Sequence, residues 1–132
     1  CRREVWFAGG RPLSEVCPPE MSDAFPEEFT VEAGDYCIVK PRFSAFFSTQ
    51  LDLLLRRLGV DTVILAGTTT PNCIRTTCYD ALSLDYDVVV LSDCTSSVTD
   101  EVQSANLRDM ARIGARICTG AELPTLLGEA RA

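Results

Sequence analysis

Hydrophobic and polar positions along the 132-residue chain change character near residue 36. Before that point Pro12, Pro18, Pro19 and Pro26, the adjacent Gly9 and Gly10, and many carboxylates leave little periodicity. Residues 1–35 therefore read as an irregular surface segment holding no more than a short turn of helix. From residue 36 the pattern becomes regular. Tyr36-Cys37-Ile38-Val39-Lys40 is a short apolar run that predicts a buried strand. Ser48 is placed to cap a helix through Leu58, with Leu51, Leu54, Leu55 and Leu58 on one face and Gly59 as its stop. Val60–Ala66 predicts a second strand ending at Gly67.

A helix is expected from Pro71 to Leu84, with the proline at a first-turn position where its missing N–H costs nothing. Asp87–Leu91 predicts a Val-rich third strand, and Ser92–Ser97 a loop. Thr99–Ile113 predicts a helix with Asp100 and Glu101 favourably placed in its first turn. Ala115–Cys118 reads as a fourth strand and Ala121–Leu127 as a terminal helix. Strands apolar on both faces, separated by helices, mean parallel strands joined by crossovers. The fold class is α/β, a Rossmann-like parallel sheet with flanking helices over residues 36–132.

Charge narrows the function. A formal charge of −7 with scattered arginines argues against a nucleic-acid partner, and Lys40 is the only lysine. No apolar run approaches the roughly 18–20 residues that span a bilayer, and the chain shows no basic start followed by an apolar signal segment, so no membrane partner is expected. The seven cysteines (Cys1, Cys17, Cys37, Cys73, Cys78, Cys94 and Cys118) are odd in number and widely spaced, which fits reduced thiols in the cytoplasm. There is no histidine. Cysteine–histidine catalysis within the chain and imidazole-based metal sites are therefore excluded; no metal and no cofactor are expected. The chain opens at Cys1 without methionine, from which processing or a longer parent is expected.

Ligands of open α/β sheets bind beyond the carboxyl ends of the strands. Two strand ends carry unusual residues. The first ends at Lys40; the second runs into Gly67-Thr68-Thr69-Thr70-Pro71-Asn72-Cys73 and delivers a cysteine to the start of a helix. A thiolate there would face backbone N–H groups and the positive end of the helix dipole, and a nearby lysine would favour it further. The same N–H groups suit an oxyanion. Equally, Cys73 reads as a small core residue and Lys40 as a solvated strand end.

The stretch Val39-Lys-Pro-Arg-Phe-Ser-Ala-Phe-Phe47, the segment Gly59–Ala81 with its Gly-Thr-Thr-Thr-Pro-Asn-Cys core, and Asp85–Ser97 with Glu101–Leu107 closely resemble the isochorismatase-like cysteine hydrolase superfamily. The similarity covers roughly residues 36–118. It implies a sheet of order 3-2-1-4-5-6 and an Asp–Lys–Cys triad, with Cys73 as nucleophile and Lys40 as the triad lysine. It also implies a cis peptide at Thr68–Thr69 and an oxyanion hole from the Thr69 and Cys73 amides, with a homo-oligomeric assembly. The chemistry implied is hydrolysis of a small amide, ureido or carbamoyl C–N bond through a thioester. Nicotinamidases of the family carry a histidine-rich metal site, for which this chain has no histidine.

The family's aspartate stands on a first strand, and no such run exists here. Tyr36–Lys40 would be the third strand; the first two are absent from the sequence. Asp23 and Asp35 lie in the wrong context, and Asp93 reads as a turn or cap residue. The chain is thus expected to share its sheet with another segment or with a second chain supplying the early strands and the aspartate, leaving Val60–Ala66 with a bare edge. The alternatives are a non-catalytic oligomer-forming or ligand-binding member, or an inactive fragment.

The remaining expectations concern neighbours of these residues. Arg42, Phe43, Phe46 and Phe47 read as core or as site lining, with Phe46, Thr70 and Asn72 as candidate contacts to a small-molecule substrate. Turn capping accounts equally well for Thr70 and Asn72. Arg75 is expected to be solvated or ion-paired and Asp80 to bond neighbouring loops. Cys78, Cys94 and Cys118 are expected to pack as small apolar groups.

Overall fold

A valine-rich strand at the centre of a parallel sheet organises the molecule. The computed structural model describes residues 31–129, so expectations for residues 1–30 fall outside the described residues. The chain divides into two compact units, residues 1–36 and 37–132. Of the first, residues 31–36 are described. They hold a turn in which Asp35 N–H donates to the Glu32 carbonyl at 3.0 Å and Glu32 N–H donates to Asp35 Oδ2 at 2.9 Å.

The second unit runs α1 (Leu51–Leu58), β1 (Thr62–Thr68), a π-helical turn (Thr70–Ile74), α2 (Arg75–Ser83), β2 (Asp87–Ser96), α3 (Asp100–Arg112), β3 (Arg116–Cys118) and α4 (Leu123–Glu129). The three strands lie side by side in the order β1-β2-β3, and both pairs are parallel. This is the predicted open α/β sheet with flanking helices.

The two faces of β2 serve two cores. Val88 and Val90 are buried in a cluster with Leu65, Ile74, Cys78, Ala81, Met110 and Ala115, filled out by Val63 and Ile117 from the neighbouring strands. Val89 and Leu91 point the other way and join Cys118 beneath Leu123 and Leu126 of α4. Successive side chains of a strand alternate sides, so both clusters follow from one run of apolar residues. β1 differs. Its Leu65 is buried, but Ile64 is 40% exposed and Ala66 is exposed. β1 is apolar on both faces as read, but no described element covers its Ile64 side or pairs with its outer edge.

Two expectations are corrected. Tyr36–Lys40 forms no strand; Ile38 is half-buried and its four neighbours are exposed, because no described strand lies beside them to satisfy their backbone groups. Ser48 does not cap α1. It adopts φ 54°, and Thr49 Oγ1 instead accepts from Leu51 N–H at 3.2 Å. Leu55 packs on the first cluster, whereas Leu58 at the helix end is exposed. Gly59 ends α1 as expected, with φ 68° and its N–H turned back to the Arg56 carbonyl. α3 begins at a Thr99 cap whose Oγ1 accepts from Val102 N–H at 3.2 Å.

β2 is longer than its apolar run. It continues through Ser96, past the predicted start of the loop at Ser92. Leu65 pairs with Val90 and Gly67 with Thr95, so two steps along β1 are matched by five along β2. The intervening residues bulge out before the strands rejoin.

Candidate active site

β1 ends at Thr68, and the chain then turns through a cis peptide between Thr68 and Thr69. Pro71 stands in the first turn of the following helical segment. Cys73 lies in the π-helical turn Thr70–Ile74 rather than in the first turn of a regular α-helix, a local geometry frequent at functional sites. Its side chain is half-buried.

Lys40 Nζ lies 3.5 Å from Cys73 Sγ. It also donates to the carbonyls of Arg42 at 3.1 Å and Phe43 at 3.3 Å. Those two carbonyls fold the short Lys40–Phe43 segment around the ammonium group. What ties that segment to α2 is a contact the sequence reading missed: Ala45 N–H donates to Thr77 Oγ1 at 3.0 Å. Thr77 is buried in α2, four residues after Cys73 and hence on the same helix face. Ser44, also buried, accepts from Phe46 N–H at 3.1 Å and tightens the same loop. The recoverable signal was the one-turn spacing of Thr77 from Cys73.

Among the candidate lining residues the structure separates three fates. Asn72 is exposed beside Cys73. Thr70 is fully buried and its hydroxyl donates to the Ser96 carbonyl at 3.0 Å, so it braces the turn and offers nothing to a ligand. Phe46 stacks on Tyr86 with ring centroids 5.8 Å apart. Tyr86 immediately precedes β2, at the amino end of the parallel sheet, whereas Cys73 follows the carboxyl end of β1. Phe46 therefore packs at the end of the sheet away from the thiol. Phe43 and Phe47 are 50% and 56% exposed, and neither is core.

Arg75 is ion-paired as expected, with Nη2 at 2.7 Å from Asp109 Oδ2 and Nη1 at 3.3 Å from Asn106 Oδ1. The hydrogen bond with Tyr79 is the first cause raising its pKa above the ordinary arginine value. An open notch of about 350 Å³ between α2 and α3 is lined by Arg75, Ala105, Asn106, Arg108, Asp109 and Arg112; neither Lys40 nor Cys73 borders it.

The cysteines divide by environment. All five among the described residues are free thiols. Cys78 has no exposed surface, and burial pushes its pKa up to about 11. Cys118 is likewise buried. Cys94 does not pack as expected: it is exposed beside Asp93, and partial desolvation followed by the Asp93 carboxylate raises its pKa. Asp93 itself accepts from Gly120 N–H at 2.9 Å, the turn-holding role read for it. Asp80 corrects an expectation, since its carboxylate makes no hydrogen bond among the described residues; only its carbonyl accepts, from Leu84 N–H. No carboxylate among the described residues pairs with Lys40, and no group of three or more Cys, Asp or Glu residues among them is arranged to hold a metal ion.

A parallel sheet whose first strand ends in a cis-peptide turn bearing a cysteine, with a lysine against the sulfur, defines a recognisable kind of site. The family model described as the Isochorismatase domain matches residues 7–122, and the chain belongs to that family. The match begins well before residue 36, where the resemblance was read to start. A probable inactive nicotinamidase of Arabidopsis thaliana is 51% identical over 89 residues, covering 67% of this chain and 45% of that protein. The maleamate amidohydrolase of Pseudomonas putida is 34% identical over 106 residues, covering 80% of this chain and 50% of that enzyme. The crystal structure of an isochorismatase family protein from Desulfovibrio vulgaris superimposes with a TM-score of 0.73 at 45% identity, covering 75% of this chain and 52% of that one. The chain spans about half the length of the curated relatives it matches.

Proposed function

We propose that this chain carries the nucleophile and the lysine of a cysteine hydrolase that cleaves a small amide, ureido or carbamoyl C–N bond. The observation that carries the reading is the 3.5 Å approach of Lys40 Nζ to Cys73 Sγ. At that distance the lysine nitrogen is placed to offset negative charge on a sulfur that attacks or leaves a carbonyl carbon. The similarity to an amidohydrolase supports the choice of bond.

In this reading the Cys73 thiolate adds to the carbonyl carbon and the oxygen takes up the displaced electron pair. The Thr69 and Cys73 amides receive that oxyanion. The C–N bond then breaks, and the amine departs with a proton from a carboxylic acid. Water, deprotonated by the same carboxylate, attacks the thioester and releases the acid and the thiolate. Lys40 stabilises the negative sulfur electrostatically. The carboxyl group belongs, in this scheme, to an aspartate on a strand laid along the edge of β1 that no described strand pairs, from a further segment or from a second, different chain. The β1 edge that no described strand pairs, and the exposed Ile64, support that placement.

Free thiols at all five described cysteines suit a cytosolic setting. No helix among the described residues is long and apolar enough to cross a membrane.

The test is release of ammonia or amine from a panel of small amides and ureido compounds by the intact protein. The reading expects turnover that Cys73→Ala reduces to background. Turnover that survives Cys73→Ala contradicts it. A second reading, a non-catalytic family member, is favoured by the relative described as probably inactive and by the lack of a described carboxylate at Lys40. Under that reading Cys73 alkylates no faster than exposed Cys37.

A further inference from the structure

The turn that holds Thr69 and Cys73 is supported from the side by a relay of hydrogen bonds beginning in α3. Gln103, half-buried in the first half of α3, sends Nε2 to the Thr95 carbonyl at 3.2 Å and to Thr95 Oγ1 at 3.0 Å. Thr95 is buried, and its hydroxyl donates to the Leu91 carbonyl at 3.0 Å, closing the bulge of β2 upon itself. Only after that bulge does β2 rejoin β1, at Gly67↔Thr95 and Thr68↔Ser96. The Ser96 carbonyl then accepts from Thr70 Oγ1, whose side chain has no exposed surface. Thr95 and Ser96 are thus the lateral support of residues 67–70, and Gln103 is the side chain that holds Thr95 from the neighbouring helix.

Gln103 uses only its donor end. Its Oε1 is buried and accepts no hydrogen bond among the described residues. An unpaired buried acceptor is destabilising, so a fold optimised for packing alone would favour an apolar side chain of this size here. Both amide hydrogens go instead to one residue of the arm that positions the turn.

From this we infer that Gln103 is a positioning residue: through Thr95, Ser96 and Thr70 it sets the alignment of the Thr69 and Cys73 amides toward the oxyanion. The inference rests on the cysteine-hydrolase reading of the site. It assigns Gln103 no contact with substrate and no proton transfer. Its effect falls on the step that places negative charge on oxygen and not on the reactivity of the sulfur, which Lys40 governs.

Two reagents separate those effects. Iodoacetamide alkylates the thiolate by displacing iodide from carbon and makes no oxyanion. Propionaldehyde forms a thiohemiacetal: the sulfur adds to the carbonyl carbon, the C=O electron pair moves to oxygen, and that oxygen draws on the amide donors. In Gln103→Met the volume is kept and both donated hydrogen bonds are lost; Gln103→Glu keeps the length and also lacks the donors. Either variant is expected to melt within about 5 °C of the wild type and to alkylate Cys73 at the wild-type rate. Its affinity for propionaldehyde is expected to fall about ten-fold or more. Thr70→Val, at the other end of the relay, is expected to show the same split.

Unchanged aldehyde affinity in a folded Gln103 variant overturns the inference. So does a parallel fall of both reactions with the melting temperature, or failure of both variants to fold, since each marks Gln103 as a packing residue. If wild-type Cys73 alkylates no faster than Cys37, the hydrolase reading itself fails and takes this inference with it.

Discussion

Ala45 N–H donates to Thr77 Oγ1, and this bond at 3.0 Å joins the loop after Lys40 to the helix after Cys73. It ties the loop carrying Lys40 to a residue one helical turn from Cys73, and is expected to hold ammonium and thiol together. Thr77→Val keeps the shape and removes the acceptor, leaving the Ala45 N–H unpaired. The expected loss of stability is about 1–3 kcal/mol. Urea denaturation measures it, and Cys73 alkylation should slow toward the rate at Cys37 as Lys40 drifts away.

Cys78 should behave as hydrocarbon. Its pKa is raised by burial from 9.0 to about 11, so it stays protonated at neutral pH and resists alkylation until the chain unfolds. The sign of the linked stability follows from that direction. Below pH 9.0 both folded and unfolded states hold the proton and the full stability is present. Between pH 9.0 and about 11 only the unfolded state releases it, so Cys78 makes stability fall as pH rises through that window. Urea midpoints should decline less steeply over this range in Cys78→Ala than in the wild type; identical slopes would contradict the assignment.

The Arg75–Asp109 pair ties α2 to α3, yet its side chains are 41% and 39% exposed. Solvent screening keeps such a pair to about 1 kcal/mol or less. Arg75→Ala should shift the denaturation midpoint slightly and leave the Cys73 alkylation rate unchanged. A large loss of thiol reactivity would place Arg75 in the site.

At β1 Ile64 is exposed and no described strand pairs with the outer edge, a combination expected to favour association. Ile64→Lys places a charge beside that edge. Size-exclusion chromatography over a range of concentrations should show the variant less associated than the wild type. Equal association would show that the Ile64 side of β1 takes no part.

Much of this was readable from local pattern. Gly59 after the leucines of α1 announced its left-handed stop, and Val88–Leu91 announced a strand covered on both faces. Lys40 and Cys73 stood out because each closed or followed an apolar run in a sheet whose carboxyl ends face one way. What failed depended on partners distant in sequence. Tyr36–Lys40 has strand-like residues but no strand beside it among the described residues. Ser92–Ser96 is polar and reads as loop, yet its last residues rejoin Gly67 and Thr68 across a register shift. Phe46 was read both as core and, from the resemblance, as site lining; its ring packs on Tyr86 against the first cluster, the core reading.

Competitive iodoacetamide labelling of the native protein at neutral pH, read by mass spectrometry at Cys37, Cys73 and Cys94, tests the central claim most directly. Exposed Cys37 is the internal standard, and Cys94 should lag because partial desolvation, followed by the Asp93 carboxylate, raises its pKa. Cys73, although half-buried, should label about ten-fold faster than Cys37, and Lys40→Met should erase that lead. Cys73 labelling no faster than Cys37, or a lead that survives Lys40→Met, would contradict the account.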